Sequence, residues 1–188
     1  AFPTEALTHT HISCALNAMI NNDLEYTDIK EVKVTAFAQA YDILFDPTKY
    51  RPESRETADH SLPYCMAAAI VDKKITTQSF SDEKLNDPKI FEVIDKIIGE
   101  PSLEFEAMFP AKQPSRVVVT TNDGRSFEEY LEYPKGDPRE PMTLEDLTNK
   151  FNSLASGVLS ADRLVEIKDM IFDCEKVSAR EFMGKLVV

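Results

Sequence analysis

Glycine is scarce in this 188-residue chain, five in all. No segment has the Gly-rich spacing that cradles a phosphate or a dinucleotide, so neither ATP nor NAD is an expected ligand. Cysteine is equally sparse. Cys14, Cys65 and Cys174 are odd in number and far apart, which disfavours a disulfide framework and supplies neither zinc nor iron–sulfur ligand spacing. That usage fits a reducing compartment. No apolar run approaches the length of a bilayer crossing, and no positively charged leader precedes an apolar core, so no membrane partner is expected. Positive charge is outnumbered: 21 Lys and Arg face 33 Asp and Glu, a net charge of −12. Nucleic acid, which needs clustered Lys and Arg to neutralise its phosphates, is therefore not an expected partner. The acidic residues are dispersed as on a solvated surface, and an anionic ligand would have to be met by a local basic pocket working against the overall field. Residue 1 is Ala, and Phe2-Pro3 reads as the interior of a longer protein. The length suits one ordinary domain, or one small domain plus pieces of another.

What is present is concentrated in one stretch, Arg55-Glu-Thr-Ala-Asp-His-Ser-Leu-Pro-Tyr-Cys-Met-Ala-Ala-Ala-Ile70. Asp59, His60 and Ser61 precede Pro63, and proline is tolerated in the first helical turn because its missing N–H would have no partner there. The spacing places the polar trio at the N-terminus of a helix over about residues 61–72, where free N–H groups and the helix dipole favour an anion. His60 adds an imidazole that changes charge near neutral pH.

Along the chain, Leu7, Ile12, Ala15, Leu16 and Met19 predict a helix over residues 6–20. His9 and His11 are two apart, about 200° around a helix, and would not converge on one metal ion. Val32, Val34 and Ala36 alternate with Lys33 and Thr35 as a half-buried strand. Residues 42–58, with Pro47 and Pro52, read as a loop. Asp87-Pro88 opens a helix whose apolar face runs through Ile90, Phe91, Ile94, Ile97 and Ile98 to Gly99. Leu103–Phe109 alternates as a strand, and Arg116–Thr121 pairs with Ser126–Glu132 across Asn-Asp-Gly124. Pro134–Pro141, with three prolines, reads as a boundary, followed by helices opening at Thr143, after Ser160 and at Ser178, the last with Glu181 completing a capping box. The fold class so predicted is α+β, a two-layer sandwich of an antiparallel sheet covered on one face by helices. There are no internal repeats.

The ten residues Arg-Glu-Thr-Ala-Asp-His-Ser-Leu-Pro-Tyr64 resemble a signature of the MmgE/PrpD family, whose best-known members are 2-methylcitrate dehydratases. Three further segments match in the same order: Phe2-Pro-Thr-Glu5 with His9, Asp46-Pro-Thr-Lys-Tyr-Arg-Pro52, and Pro134-Lys-Gly-Asp-Pro-Arg-Glu-Pro-Met-Thr143. Members of that family are more than twice this length and begin with a large helical portion that has no counterpart here. The resemblance implies an α+β domain over residues 23–137, with residues 1–22 and 138–188 as pieces of a larger, mostly helical domain, and a site between the two domains. It also implies a homodimer, the missing N-terminal portion as partner, and a cytoplasmic protein, or a mitochondrial-matrix one in a eukaryote.

The implied chemistry is loss of water from a 2-hydroxy tricarboxylate, giving 2-methyl-cis-aconitate. The proton lost is weakly acidic and hydroxide leaves poorly, so the site needs a base, an acid and cations for the carboxylates. No cofactor and no metal are expected, since the family is not thought to need an iron–sulfur cluster. The catalytic candidates are His60 as acid or base, Asp59 orienting it, and Glu5. The substrate-binding candidates are Arg55 and Lys135 for carboxylates, Ser61, Tyr64 and His9. Glu5 favours a dehydratase over decarboxylase-like members, which carry His near that position. The alternatives are a related small-acid enzyme, a cis-aconitate decarboxylase or an iminodisuccinate epimerase, and a non-catalytic α+β ligand-binding or assembly module.

Overall fold

The structure, a computed structural model, describes residues 1–187. It divides into two compact units, Ala1–Pro141 and a helical one from Met142 onward.

In the first unit a short 3-10 turn leads into α1 (His9–Asn21), and β1 (Ile29–Phe37) follows. The crossover after β1 carries α2 (Ala38–Leu44), α3 (Arg55–Asp59), α4 (Leu62–Asp72), α5 (Asp82–Leu85) and α6 (Pro88–Ile94), and returns into β2 (Ile97–Ser102). Then come α7 (Leu103–Met108), β3 (Ser115–Thr121) and β4 (Ser126–Leu131). The strands form one sheet in the order β2-β1-β3-β4. The Asn-Asp-Gly turn closes the β3–β4 hairpin as its sequence predicts, with Gly124 at φ +88, a conformation that costs glycine nothing.

Fold class is α+β as expected, but the sheet is mixed: β1 and β2 run parallel, with Val32 opposite Ile97 and Phe37 opposite Ser102. A parallel neighbour requires a long connection, and the helical crossover supplies it. This corrects the helix expected to run through Ile97 and Ile98. The helix stops at Ile94, because two β-branched residues gain more by pairing with β1 than by extending it. Gly99 fits here for want of a side chain: a Cβ would lie 2.7 Å from the Phe45 ring. The strand expected over residues 103–109 is likewise a helix. Ser102 Oγ accepts from Phe105 N, Glu104 and Glu106 sit in the first turn, and both favour helix at its positive end. The apparent alternation there has no buried row to serve, since Leu103 is 83% exposed. The segment read as a loop over 42–58 contains parts of α2 and α3 and a 3-10 turn at Pro47–Tyr50.

The core lies on one face of the sheet. Val32, Val34, Ala36, Val117 and Val119 are fully buried, while Lys33 and Arg116 between them point outward. The helix α1 packs on β3, β4 and α4, and α4 packs in turn on α6. The stretch from Leu62 to Ile70 is buried throughout, so α4 reads as apolar all round because it is covered all round. The opposite face is covered in part by α7, whose buried Phe105 meets Tyr130 at 5.8 Å, with the Arg116 guanidinium 5.7 Å from the Phe105 ring.

The second unit holds α8 (Leu144–Ala155), α9 (Ala161–Phe172) and α10 (Ala179–Leu186). The Thr143–Asp146 capping box opens α8 as expected, and Ser178 caps α10. Leu164 and Ile167 of α9 are buried, but Ile171, expected on the same face, is 47% exposed. A cleft of about 310 Å³ lined by Met170, Ile171, Cys174, Val177, Ala179 and Phe182 opens along this helix.

Candidate active site

Contacts at one end of the sheet tie together segments that carry several of the candidate residues. The register sets Phe37 beside Ser102, Ala36 beside Ser115, and Ser115 beside Leu131, so β1, β2 and β4 finish where β3 begins. The Cys14 thiol reaches the Ser115 carbonyl at 3.7 Å, which brings the first turns of α1 to the same end. Glu5 N donates to the Asp59 carbonyl at 3.1 Å, tying the N-terminal segment to the end of α3. Gln113 N donates to the Glu132 carbonyl at 2.9 Å, and Arg139 Nη1 donates to the Ala111 carbonyl at 2.6 Å, adding the two loops that flank the hairpin. All three histidines of the chain, at 9, 11 and 60, belong to elements tied together here.

The polar trio sits differently from its sequence reading. It straddles a junction: Asp59 is the last residue of α3, His60 caps that helix, and only Ser61 caps α4. The reason is Ser54, whose hydroxyl accepts from Thr57 N and starts a separate short helix. His60 Nδ1 bonds the Asp59 carboxylate and lies 3.2 Å from the Glu56 carbonyl. Both partners are acceptors, so Nδ1 carries a proton and Nε2 is the nitrogen that holds the lone pair whenever the ring is neutral. The His60 side chain is 50% exposed and that of Asp59 27%, an accessible imidazole aligned by a carboxylate.

The other candidates divide into those facing outward and those built into the frame. Arg55 is exposed in the first turn of α3, the helix that His60 caps at its other end. Lys135 is half-buried, with Nζ 3.4 Å from Glu140 Oε1. His9 is half-buried with its ring edge-on to Phe2, centroids 5.6 Å apart. Glu5 accepts from Leu7 N at 2.7 Å and so caps the turn before α1. Ser61 is fully buried, donates to the Lys49 carbonyl at 2.6 Å and accepts from Tyr64 N at 3.0 Å. Tyr64 is also buried; its hydroxyl donates to the Ser79 carbonyl at 2.8 Å, and burial pushes its ionisation upward. As arranged here, both hydroxyls hold the signature helix against its neighbours.

Sequence reading weighed His11 only as a metal ligand and did not foresee the buried polar groups. His11 is fully buried, with Nδ1 3.1 Å from the Leu7 carbonyl, and the side-chain atoms Thr10 Oγ1, Gln113 Oε1, Ser115 Oγ and His11 Nε2 are buried without protein partners. Burial dominates and lowers the His11 pKa to about 4, while Cys14 is pushed up to about 12. His11 is therefore neutral in the fold and titrates normally, near 6.5, when unfolded. Above that value it takes nothing from stability. As pH falls from about 6.5 towards 4 the unfolded chain binds a proton the folded one refuses, so stability declines, by roughly 3 kcal/mol at the lower end. Urea midpoints at pH 7 and pH 4.5 should show this loss, and His11→Gln should flatten it. An equal drop in both proteins would place the cause elsewhere. No group of three His, Cys, Asp or Glu among the described residues is arranged to hold a metal ion, and no described helix is long and apolar enough to cross a membrane.

Residues 2–173 match the sequence model of the MmgE/PrpD C-terminal domain. Among curated proteins, a cis-aconitate decarboxylase of Aspergillus terreus is 30% identical over 130 residues, covering 68% of this chain and 26% of its own. The human cis-aconitate decarboxylase is 32% identical over 136 residues, covering 68% and 27%. The 2-methylcitrate dehydratase-like protein oryR of Aspergillus oryzae is 28% identical over 138 residues, covering 69% and 28%. The chain thus spans about a quarter of the length of the curated relatives it matches.

Proposed function

The chain belongs to the MmgE/PrpD family, and on that footing we propose that it forms the C-terminal portion of a longer lyase that acts on a citrate- or aconitate-like tricarboxylate. The observation that carries this reading is the exposed Asp59–His60 pair beside the N-terminal segment. With Nδ1 engaged, Nε2 is the nitrogen that exchanges a proton with a bound acid. Arg55, exposed one turn earlier, and Lys135 meet the carboxylates. We place dehydration of 2-methylcitrate first, as the reaction of the signature's best-known bearers. A proton leaves the carbon next to one carboxylate, the C–O bond breaks, and the departing hydroxide is protonated to water. Within this reading residues 1–22 and 138–188 belong with the absent helical portion, the protein works as a homodimer in the cytoplasm, and no metal or cofactor enters.

A second reading, cis-aconitate decarboxylation, is favoured by the printed names of relatives at 30–32% identity. There the C–C bond to one carboxylate breaks, CO₂ leaves and the resulting carbanion takes up a proton. The same His60–Asp59 pair suits either proton transfer, so the substrate decides. The test is to supply the full-length protein with 2-methylcitrate and, separately, cis-aconitate. Growth of a conjugated double bond from the first without CO₂ from the second supports the dehydratase. Release of CO₂ from the second supports the decarboxylase. Absence of both products sinks the tricarboxylate reading.

A further inference from the structure

The loop that carries Lys135 is held chiefly around one side chain. Arg139 meets Asp137 through two bonds, Nε to Oδ1 at 2.8 Å and Nη2 to Oδ2 at 2.9 Å, a fork-on-carboxylate geometry that sets orientation as well as distance. The same guanidinium donates from Nη1 to the Ala111 carbonyl at 2.6 Å. Its carbon lies 4.1 Å from the centre of the Tyr133 ring, close enough for a cation–π contact. Three different segments, residues 109–113, Tyr133 and Asp137, thus meet on one guanidinium. The backbone inside the clamp is equally specified. Gly136 sits at φ +103 and donates to the Glu140 carbonyl at 2.8 Å, Asp137 N donates to the Pro134 carbonyl at 3.0 Å, and Asp137 and Glu140 form an isolated bridge. The neighbouring Lys112–Glu132 pair at 2.6 Å fastens the base of the loop. Lys135 lies between Tyr133 and Asp137, the two residues on which Arg139 closes.

We infer that Arg139 is a positioning residue, which holds the Pro134–Glu140 turn against the 109–113 loop so that Lys135 is presented to a carboxylate of the substrate. This rests on the reading of Lys135 as a carboxylate-binding group. The arrangement suits the role because a lysine is a flexible point charge, whose aim is set by the backbone that carries it. The Lys135–Glu140 pair is partly exposed, with side chains 35% and 52% accessible, and exposed pairs are weak enough for an incoming carboxylate to displace. The Arg139–Asp137 pair is not a rival partner for the substrate. Arg139 pulls the Asp137 carboxyl down to about 2, so its carboxylate stays charged and able to hold the guanidinium throughout the working pH range.

The test is a double-mutant cycle on KM and kcat in the full-length protein. Lys135→Ala should raise KM about tenfold or more with a smaller change in kcat, as expected for a group that binds substrate and transition state alike. Arg139→Ala should raise KM in the same sense, Arg139→Lys should fail to restore it because it lacks the fork, and Arg139→Ala combined with Lys135→Ala should be no worse than Lys135→Ala alone. Asp137→Asn supplies a second way of opening the clamp if the arginine variants fold poorly. Independent, multiplying effects of the two alanine substitutions would overturn the inference, as would an unchanged KM in both Arg139→Ala and Asp137→Asn while Lys135→Ala raises it. An unchanged KM in Lys135→Ala would instead remove the reading of Lys135 beneath it.

Discussion

His60→Ala in the full-length protein is expected to lower kcat by about 10²-fold or more, the usual loss when a positioned acid–base group is removed. The protein should fold as before. His60 caps a five-residue helix and is half exposed, and among the described residues its ring bonds the partly exposed Asp59 and the carbonyl of the exposed Glu56. Truncating it leaves no buried group unpaired, so the loss belongs to chemistry and not to stability. Asp59→Asn should cost less, because the amide can still orient the ring while stabilising its protonated form less well. The measurement is turnover at saturating substrate, with the thermal midpoint as a control. Wild-type turnover in His60→Ala would remove this residue from the reaction and, with it, the observation on which the proposed function rests.

The largest effect is expected from the chain by itself: the 188 residues should give no measurable turnover of 2-methylcitrate or cis-aconitate. On the proposed reading, in which the site lies between two domains, both walls are needed, and misplacing a reacting group by even about 1 Å costs orders of magnitude. The chain has the Asp59–His60 pair and the Lys135 loop but only about a quarter of its relatives' length to surround a substrate. Its second unit should also betray missing neighbours. Leu144, Leu147, Val158, Val165, Phe172 and Met183 are all more than half exposed there, beside the apolar cleft on α9. Apolar surface of that extent seldom stays bare in water. Sedimentation should therefore show a dimer or larger assembly of the isolated chain, and Leu147→Glu with Val165→Glu should shift it towards monomer. Conversion of either acid by the purified chain would refute the two-wall argument, and a strictly monomeric chain would refute the argument from exposed helices.

What the sequence determined by itself was whatever local pattern decides. The Asn-Asp-Gly turn, the β1 alternation from Ile29, the Pro-led start of α4 and the Thr143 capping box each rest on residues within one turn of one another. Asp59 and His60 were legible as a hydrogen-bonded pair for the same reason: they are adjacent, and no distant contact was needed to bring them together. Tertiary structure decided the rest. Ile97 and Ile98 suit a helix or a strand, and the free edge of β1 made them a strand. Leu103–Met108 alternates like a strand yet is a helix, because no strand stands beside it and Ser102 caps it. Ser61 and Tyr64 look like ligand-binding hydroxyls in the sequence and are buried rivets in the fold, since their acceptors, the carbonyls of Lys49 and Ser79, lie 12 and 15 residues away. His11 is the sharpest case. Two residues from His9 in sequence, it is carried by the turn of α1 into the core, where burial keeps it neutral to about pH 4. Burial and long-range pairing are properties of the folded surface as a whole, and no window along the chain contains them.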